Sequence, residues 1–543
     1  MRIYIANHND SLQTISKKFH VNIDELMSLN PNIDNPNLNI SGKVIKLACQ
    51  PKSDNSKLNS SPKLDDSNLN LHWIPLTSLD EMEKTDYDVL IVGSGGGGGA
   101  ALWRLCQQWQ GTGKKIGVVE AGDLLLQTHV NNLPTMNPER AEDYFLHHSR
   151  EVSDISSREV IALGGRTLFW LGATPRMSPS TFEHWPIKNK QMEKYYNIAE
   201  KLMNVTKDYT QGSSITEVLL QRLQASYFPD AIDQPIATDL QSTKYGEVHS
   251  NVFYSSLSAL GRALNMRSFD LAVNAQVVKV FAEHGKVKGI EVMSSEKKRH
   301  FLKAKTIILS AGTFQTTRIL LNSDIKGPAI GHYLTHHSRI YATGRVTREE
   351  FPELLGTLGI LVPGQKDRPY QIQIIGPEGY FWYPNEEQKP LQEDMDIYFH
   401  ASGEVESYYE NQIIIDPNEK DHLGIPKVDI RFTYSERDRA VIDQMKKAVR
   451  AASSAMKTQL IEETDQPYIY LWPFGKEFHE MGTCRMGDDP NTSATNYVGQ
   501  IHGINGLYVA DNSVIPTSGT ANPTLTTVAL AIRTVDYIVD QFK

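Results

Sequence analysis

The sequence predicts an α/β protein: a body built on a parallel sheet, a second region of α+β type on an antiparallel sheet, and a small strand–helix–helix–strand unit ahead of both. Three observations carry this. An apolar run, Val89 to Val92, leads into a glycine-rich turn and a helix, the pattern of a strand covered on both faces. Further on, DIYFHASGEVE, NQIIIDP and PKVDIRFTY alternate apolar and polar residues as antiparallel strands do, and SERDRAVIDQMKKAVRAASSAM follows as a long helix. The first 47 residues pass from strand to helix to helix to strand within their own punctuation.

Length and composition set the bounds. A chain of 543 residues exceeds one hydrophobic core, so several domains are expected. With 40% apolar and 22% charged residues it reads as globular. A net charge of −9 offers no basic face to a phosphate backbone, which excludes a nucleic-acid partner and leaves room for a neutral one such as a sugar. Cys49, Cys106 and Cys484 are far apart and form no CxxC pair, so neither a disulfide framework nor a cysteine zinc site is expected. MRIYIANHND has no basic n-region and no apolar h-region, and no run is long enough to span a membrane. Cytoplasmic residence is the default expectation.

In the first unit, Leu12, Ile15 and Phe19 fall at helical spacing, as do Ile23, Leu26, Met27 and Leu29, and SGKVIKL closes it as a strand. This segment resembles a LysM module through Asp10-Ser11-Leu12, Phe19, Leu26, Leu29-Asn30 and Ser41-Gly42-Lys43. The resemblance implies binding of an N-acetylglucosamine-containing glycan, and with it association with a cell envelope or spore. Asn9, where a glycine is usual, and Ser41, where a proline is usual, depart from the pattern. Residues 48–85, rich in Ser, Asn, Asp, Lys and Pro, read as a flexible linker. The body is expected to begin at Asp86.

DYDVLIVGSGGGGGAALWRL fills G-x-G-x-x-G with Gly93, Gly95 and Gly98. The glycines allow a tight turn, backbone approach to a pyrophosphate, and close helix–strand contact, and the helix N-terminus faces the phosphates. This is a Rossmann-type arrangement. The next strand ends in Glu120, placed to bond ribose hydroxyls and to repel a 2′-phosphate. QVVKVFAEHGKVKGIEV reads as a hairpin turning at His284-Gly285, FLKAKTIILSAGT ends in Ala311-Gly312, and GLYVADNSVIPT gives one more strand ending at Asp511. Returning strands of this kind suit a long two-part cofactor such as FAD.

From Asp86 onward the chain resembles the glucose–methanol–choline (GMC) oxidoreductases. The glycine turn with Glu120, ALGGRTLFWLGATPRM, HEMGTCRMG and GLYVADNSVIPTSGTANPTLTTVALAIRTVDYI carry the resemblance, and the second and fourth look most like pyranose oxidases. It implies a discontinuous FAD-binding domain over 86–190, 241–330 and 475–543, and a substrate domain over 191–240 and 331–474. It assigns to the cofactor, besides the residues above, Gly164, Gly165, Arg166, Thr167, Phe169, Trp170, Val278, Asn522 and Thr524. Pyranose oxidases carry a flavin-linked histidine where Phe169 stands, so non-covalent FAD is expected.

Oxidation of an alcohol by flavin removes a proton from oxygen and a hydride from carbon. By resemblance His479 is the base, a task suited to a near-neutral pKa, and Asn522 holds the substrate oxygen. Asn522-Pro523 also reads as a helix cap with Pro at the first helical position. Cys484 reads as a small buried residue. His336-His337 are adjacent on a strand, point to opposite faces, and carry no metal pattern; no metal is assigned. Phe381, Trp382 and Tyr383 are candidates for sugar stacking or core packing. The expected activity is oxidation of an alcohol, most simply a sugar, glycoside or polyol hydroxyl, with oxygen or another electron acceptor. The alternatives are a tailoring oxidase of a glycosylated natural product, and a glycan-binding envelope or spore protein with a vestigial flavin domain.

Overall fold

The computed structural model describes residues 2–6, 10–19, 21–41, 43–47, 74–133, 149–152, 157–240, 252–351, 357–377, 394–462 and 467–543. The chain divides into two compact units, Met1–Trp73 and Ile74–Lys543.

In the first unit, Arg2–Ile5 pairs antiparallel with Val44–Leu47, and helices Leu12–Phe19 and Ile23–Leu29 lie between them in sequence. Leu12, Ile15, Leu26, Ile33, Ile40 and Ile45 form its core. Ser11 and Thr14 bond reciprocally at the first helix start. Asn30 Nδ2 donates to Leu26 O at 2.7 Å and closes the second helix. Asn9 lies outside the described residues.

The second unit holds two large sheets. In the first, Asp270–Ala272, Ile116–Val119, Tyr87–Val92, Arg299–Leu309 and Leu507–Val509 run parallel in that order. The front half of Arg299–Leu309 pairs antiparallel with the hairpin Ala275–Glu283 and Lys286–Ser294. His284 and Gly285 at its turn have φ of 50° and 70°, the left-handed pair that a two-residue hairpin requires. Helices Gly96–Gln108 and Thr524–Gln541 pack against this sheet's core.

The second sheet is antiparallel, ordered Gln459–Ile461, Ser338–Thr347, Asp394–Gly403, Tyr370–Gly376, Leu358–Val362 and Ile232–Asp233, with Tyr470–Leu471 also beside Ser338–Thr347. Strand alternation splits its faces. Ile340, Ile372, Ile374, Phe399 and Ala401 enter one core with helices Ser214–Gln224 and Glu436–Met456. Arg339, Gln373 and His400 turn the other way, into a cavity. Helix Glu436–Met456 starts in a capping box between Ser435 and Asp438.

Several expectations change. Residues 74–85, read as linker, are built into the second unit: Ile74 and Met82 are buried, Thr77 N donates to Leu271 O at 2.8 Å, and Ser78 and Glu81 form a capping box. Ile74, Leu76, Leu79 and Met82 supply the apolar face that a linker lacks. Helix Asn189–Met203, read as substrate domain, joins the core of the first sheet through Met192, Tyr196, Ala199 and Met203. Tyr196 also bonds Thr526 at 2.8 Å. Of the three alternating strands, only Asp394–Gly403 is in the large sheet; Gln412–Lys420 and Pro426–Arg431 form a ribbon of their own. Phe381, Trp382 and Tyr383 lie outside the described residues.

Candidate active site

A cavity of about 970 Å³ runs from the glycine turn to the antiparallel sheet. At one end Gly93, Gly95, Gly96 and Gly97 line it. Gly93 has φ 91°, and a Cβ there would stand 2.4 Å from Ser310 O. Glu120 lines the cavity beside the turn and braces it: its carboxylate accepts from Ser94 N (2.9 Å), Ser94 Oγ (2.6 Å) and Gly122 N (2.9 Å). Burial raises its pKa against those hydrogen bonds.

Most of the expected cofactor residues meet here. Gly165, Arg166, Thr167, Phe169, Trp170, Ala311, Gly312, Asp511, Asn522 and Thr524 all line the cavity. Three do not. Gly98 packs under the turn, where a Cβ would stand 2.0 Å from Gly93 O. Gly164, with φ 98°, donates its N–H to Ser94 Oγ at 2.9 Å behind the wall. Val278 is corrected: it packs with Met293 and Ile425, while Ala275, Gln276 and Val277 face the cavity. The strand register is irregular between Val277 and Lys279, which turns Val278 away.

Two expected residues serve the frame as well as the wall. Asp511 accepts from Gly312 N (3.0 Å), Thr316 Oγ1 (2.5 Å) and Ser513 N (3.0 Å), joining helix Gly312–Asn322 to the C-terminal strand. Arg166 bonds Glu480 at 2.7 Å and Phe478 O at 3.2 Å, holding the turn that precedes His479.

That turn aims His479. Phe478 adopts φ 57°, an uncommon conformation for a bulky residue. Thr335 and Met481 exchange both backbone hydrogen bonds, at 2.9 and 2.8 Å. Two residues along each segment, His337 therefore faces His479, with their Nδ1 atoms 3.0 Å apart. His337 Nε2 lies 3.2 Å from Ser518 O. Burial, with a smaller electrostatic contribution from the neighbouring His336, pulls His337 down to about 3. Burial, then His337, Arg339, His336 and Arg166, hold His479 well below the ordinary histidine value. His336 turns away, as the alternation requires: its Nδ1 contacts Glu477, and its ring sits against Phe432 and Phe474.

Asn522 is not the helix cap. The helix is Thr524–Gln541 with Pro523 at its cap and no side-chain capping bond. The side chain turns instead to the antiparallel sheet, where Gln371 Nε2 and Gln373 Nε2 donate to its Oδ1 at 2.9 and 2.5 Å. Those two amides fix its orientation, so Nδ2 points to His479 Nε2 at 3.5 Å. Cys484 is fully buried, and burial pushes its thiol up to about 12.

Sequence reasoning missed Asn131, Arg339, Gln371, Gln373, His400 and Trp472, and it weighed His337 only as a metal ligand, giving it no part in the site. The alternation of Gln371 and Gln373 with Ile372 and Ile374 was a usable signal, because it puts two amides on one face of a strand. The others are brought in by pairing between distant segments.

The donor set fits a dinucleotide. The glycine cradle leaves no side chain between the cavity and the N-terminus of the 13-residue helix Gly96–Gln108. Asn131 Nδ2, buried on the wall, has no partner among the described residues and offers a donor to a bound group. Thr524 presents the positive end of the 18-residue helix Thr524–Gln541 to the same cavity, with its side chain beside Gly96.

The chain matches the GMC oxidoreductase family over residues 91–339 and 408–531, and the LysM domain family over 4–47. It is 26% identical over 395 residues to C-glycoside 3-oxidase of Arthrobacter globiformis, covering 70% of this chain and 74% of that protein. It is 23% identical over 461 residues to pyranose 2-oxidase of Lyophyllum shimeji, covering 73% and 74%. The fold matches the crystal structure of pyridoxine 4-oxidase from Mesorbium loti with TM-score 0.62 at 14% identity, over 83% of this chain and 99% of that one. The chain belongs to the GMC oxidoreductases, FAD-dependent enzymes that oxidise CH–OH groups, and carries a LysM domain at its N-terminal end.

Proposed function

We propose that this enzyme oxidises a secondary hydroxyl of a sugar, glycoside or polyol to a carbonyl, with His479 as the base and Asn522 as the anchor for the substrate oxygen. The observation that carries this is the pair of atoms at the cavity wall, His479 Nε2 and Asn522 Nδ2, 3.5 Å apart. A hydroxyl oxygen placed against both can give its proton to Nε2 while accepting from Nδ2. Such a base contributes on the order of 10²–10⁴ in rate. FAD, when bound, supplies the hydride acceptor. The glycine turn, Glu120, Asn131 and the N-terminus of helix Thr524–Gln541 would hold it. The enclosing sheet, through Gln373, His400 and Trp472, excludes water and offers polar edges and one indole face to a sugar ring. The sugar assignment is supported by the C-glycoside and pyranose oxidases among the relatives.

Phe169 has no nucleophile, so the flavin is bound without a covalent link. The electron acceptor is oxygen or another oxidant. The LysM domain binds an N-acetylglucosamine-containing glycan and attaches the enzyme to a cell envelope or spore. No described helix is long and apolar enough to cross a membrane.

The test is anaerobic mixing of the yellow protein with a panel of sugars and glycosides. At least one should bleach the flavin, and His479→Ala should keep bound FAD yet bleach at least a hundredfold more slowly; unchanged bleaching removes His479 as base. Acid precipitation should leave a white pellet, and a yellow one refutes the non-covalent reading. Removal of residues 1–73 should abolish pull-down on peptidoglycan or chitin without changing turnover, and an intact protein that fails to bind either polymer overturns the glycan assignment.

A further inference from the structure

Arg339 lines the same cavity and is buried, with 6% of its surface exposed. It sits on strand Ser338–Thr347, on the face opposite Ile340. Its one side-chain hydrogen bond among the described residues is to His400 Nδ1, at 2.6 Å. Burial holds His400 well below its ordinary value, so the ring is neutral and its Nδ1 accepts. Arg339 Nε is buried with no hydrogen-bond partner among the described residues. Its guanidinium lies 5.5 Å from the Trp472 ring centre. The acidic group whose field reaches it, Glu477, is engaged by His336.

A guanidinium carries five N–H donors, and this one uses a single donor on a neutral ring. Burial draws Arg339 down to about 10, which still leaves it cationic at neutral pH. A buried cation whose nearby acidic group among the described residues, Glu477, is engaged by another side chain costs several kcal/mol. Sugar hydroxyls offer it only weak compensation. A planar oxyanion accepts two parallel N–H bonds and supplies the missing charge.

We propose that Arg339 is an anion subsite of the substrate pocket, and that the preferred substrate is an alcohol carrying a carboxylate, as in a uronic acid or its glycoside. This rests on the reading of the cavity as the alcohol-oxidation site. One guanidinium with one open edge matches a carboxylate better than a phosphate, whose third oxygen and second charge would be left without a described donor. The subsite also bears on the base. The charge on Arg339 is one of those holding His479 low, so a carboxylate bound there raises the basicity of His479 only when substrate is present.

Binding and turnover are tested separately. Titration of FAD-loaded His479→Ala with methyl glucuronoside, methyl glucoside and glucose 6-phosphate, followed by calorimetry and by the flavin spectrum, reads binding without requiring the reaction. A charge-assisted pair implies on the order of tenfold to a hundredfold tighter binding of the glucuronoside than of the glucoside. In the same background Arg339→Gln should bring that ratio to near one, and Arg339→Lys should keep part of it. Equal binding of the two glycosides, or a ratio that survives Arg339→Gln, overturns the subsite. Tightest binding of glucose 6-phosphate overturns the carboxylate assignment. A protein that binds the glucuronoside through Arg339 but oxidises no alcohol upholds the subsite and refutes the proposed activity.

Discussion

His337 and His479 stand Nδ1 to Nδ1 at 3.0 Å, and Ser518 O fixes the tautomer of both. A carbonyl accepts, so His337 must carry its proton on Nε2. Burial pulls His337 down to about 3, so at neutral pH the ring is uncharged and its Nδ1 is a lone pair. His479 must then donate from Nδ1, which leaves the lone pair of Nε2 facing Asn522 and the cavity. The base is thus held in its reactive form before substrate arrives.

His337 therefore acts as a positioning residue, and its acceptor is what matters. His337→Asn keeps an oxygen near Nδ1, whereas His337→Leu removes it and frees His479 to place its proton on Nε2. The leucine variant should reduce flavin on the order of a hundredfold more slowly in anaerobic stopped flow. The asparagine variant should recover most of that loss, and substrate affinity should move little in either. Equal rates for the two variants would show that the ring only fills space.

The pH dependence follows from the direction of the shifts. His479 works neutral, and burial with nearby positive charge holds its pKa below 6.5. The rate of flavin reduction should therefore be flat from pH 8 through 6.5 and fall only below that. Stability moves in the same direction. His129, drawn to about 4, and His337, drawn to about 3, both by burial, bind a proton in the unfolded chain near pH 6.5 but not in the folded one. Each contributes stability that is complete above pH 6.5 and is lost as pH falls, by about 1.4 kcal/mol per unit until its folded pKa is reached. Thermal melts of the holoenzyme between pH 7 and 4.5 should show a falling midpoint; a level midpoint would contradict the buried neutral histidines.

Much of this was legible in the sequence because it is local. The glycine turn, Glu120, the hairpin at His284-Gly285 and the capped helix Glu436–Met456 are each set by residues within a few positions. The partners of the site are not local. His337 meets His479 through the pairing of Thr335 with Met481 across 146 intervening-number steps of chain that no spacing reveals. Arg339 and His400 meet because two strands pair in a particular register. Asn522 misled for a related reason: Asn-Pro before an apolar run signals a cap, and only the two glutamines of another strand turn its side chain elsewhere. Val278 misled because an irregularity in the strand register cannot be read from alternation.

Asn522 can be tested apart from helix capping. Asn522→Asp keeps an oxygen for both glutamine amides but replaces Nδ2, the atom facing His479, with a second acceptor. Two acceptors facing each other attract a shared proton, which blocks the base. The variant should fold and hold FAD, its rate at pH 7 should drop on the order of tenfold or more, and its acid limb should move to higher pH as the carboxylate stabilises a protonated His479. An unchanged pH profile would mean that Nδ2 and Nε2 do not share a substrate oxygen.

The glycine turn separates folding from cofactor binding. A Cβ on Gly98 would stand 2.0 Å from Gly93 O, a backbone atom that cannot yield without breaking the turn. A Cβ on Gly95 meets nothing within 4 Å, and Gly95 lines the cavity. Its φ of −63° is open to any residue. The added methyl occupies only the space through which a pyrophosphate approaches the backbone. Gly95→Ala should give a folded protein with the far-ultraviolet spectrum of the parent and little bound flavin. Gly98→Ala should give little soluble protein or a clearly lowered melting midpoint in the apo form. If Gly95→Ala retains full flavin occupancy, the pyrophosphate does not lie against Gly95, and the helix N-terminus beyond it loses its assigned role.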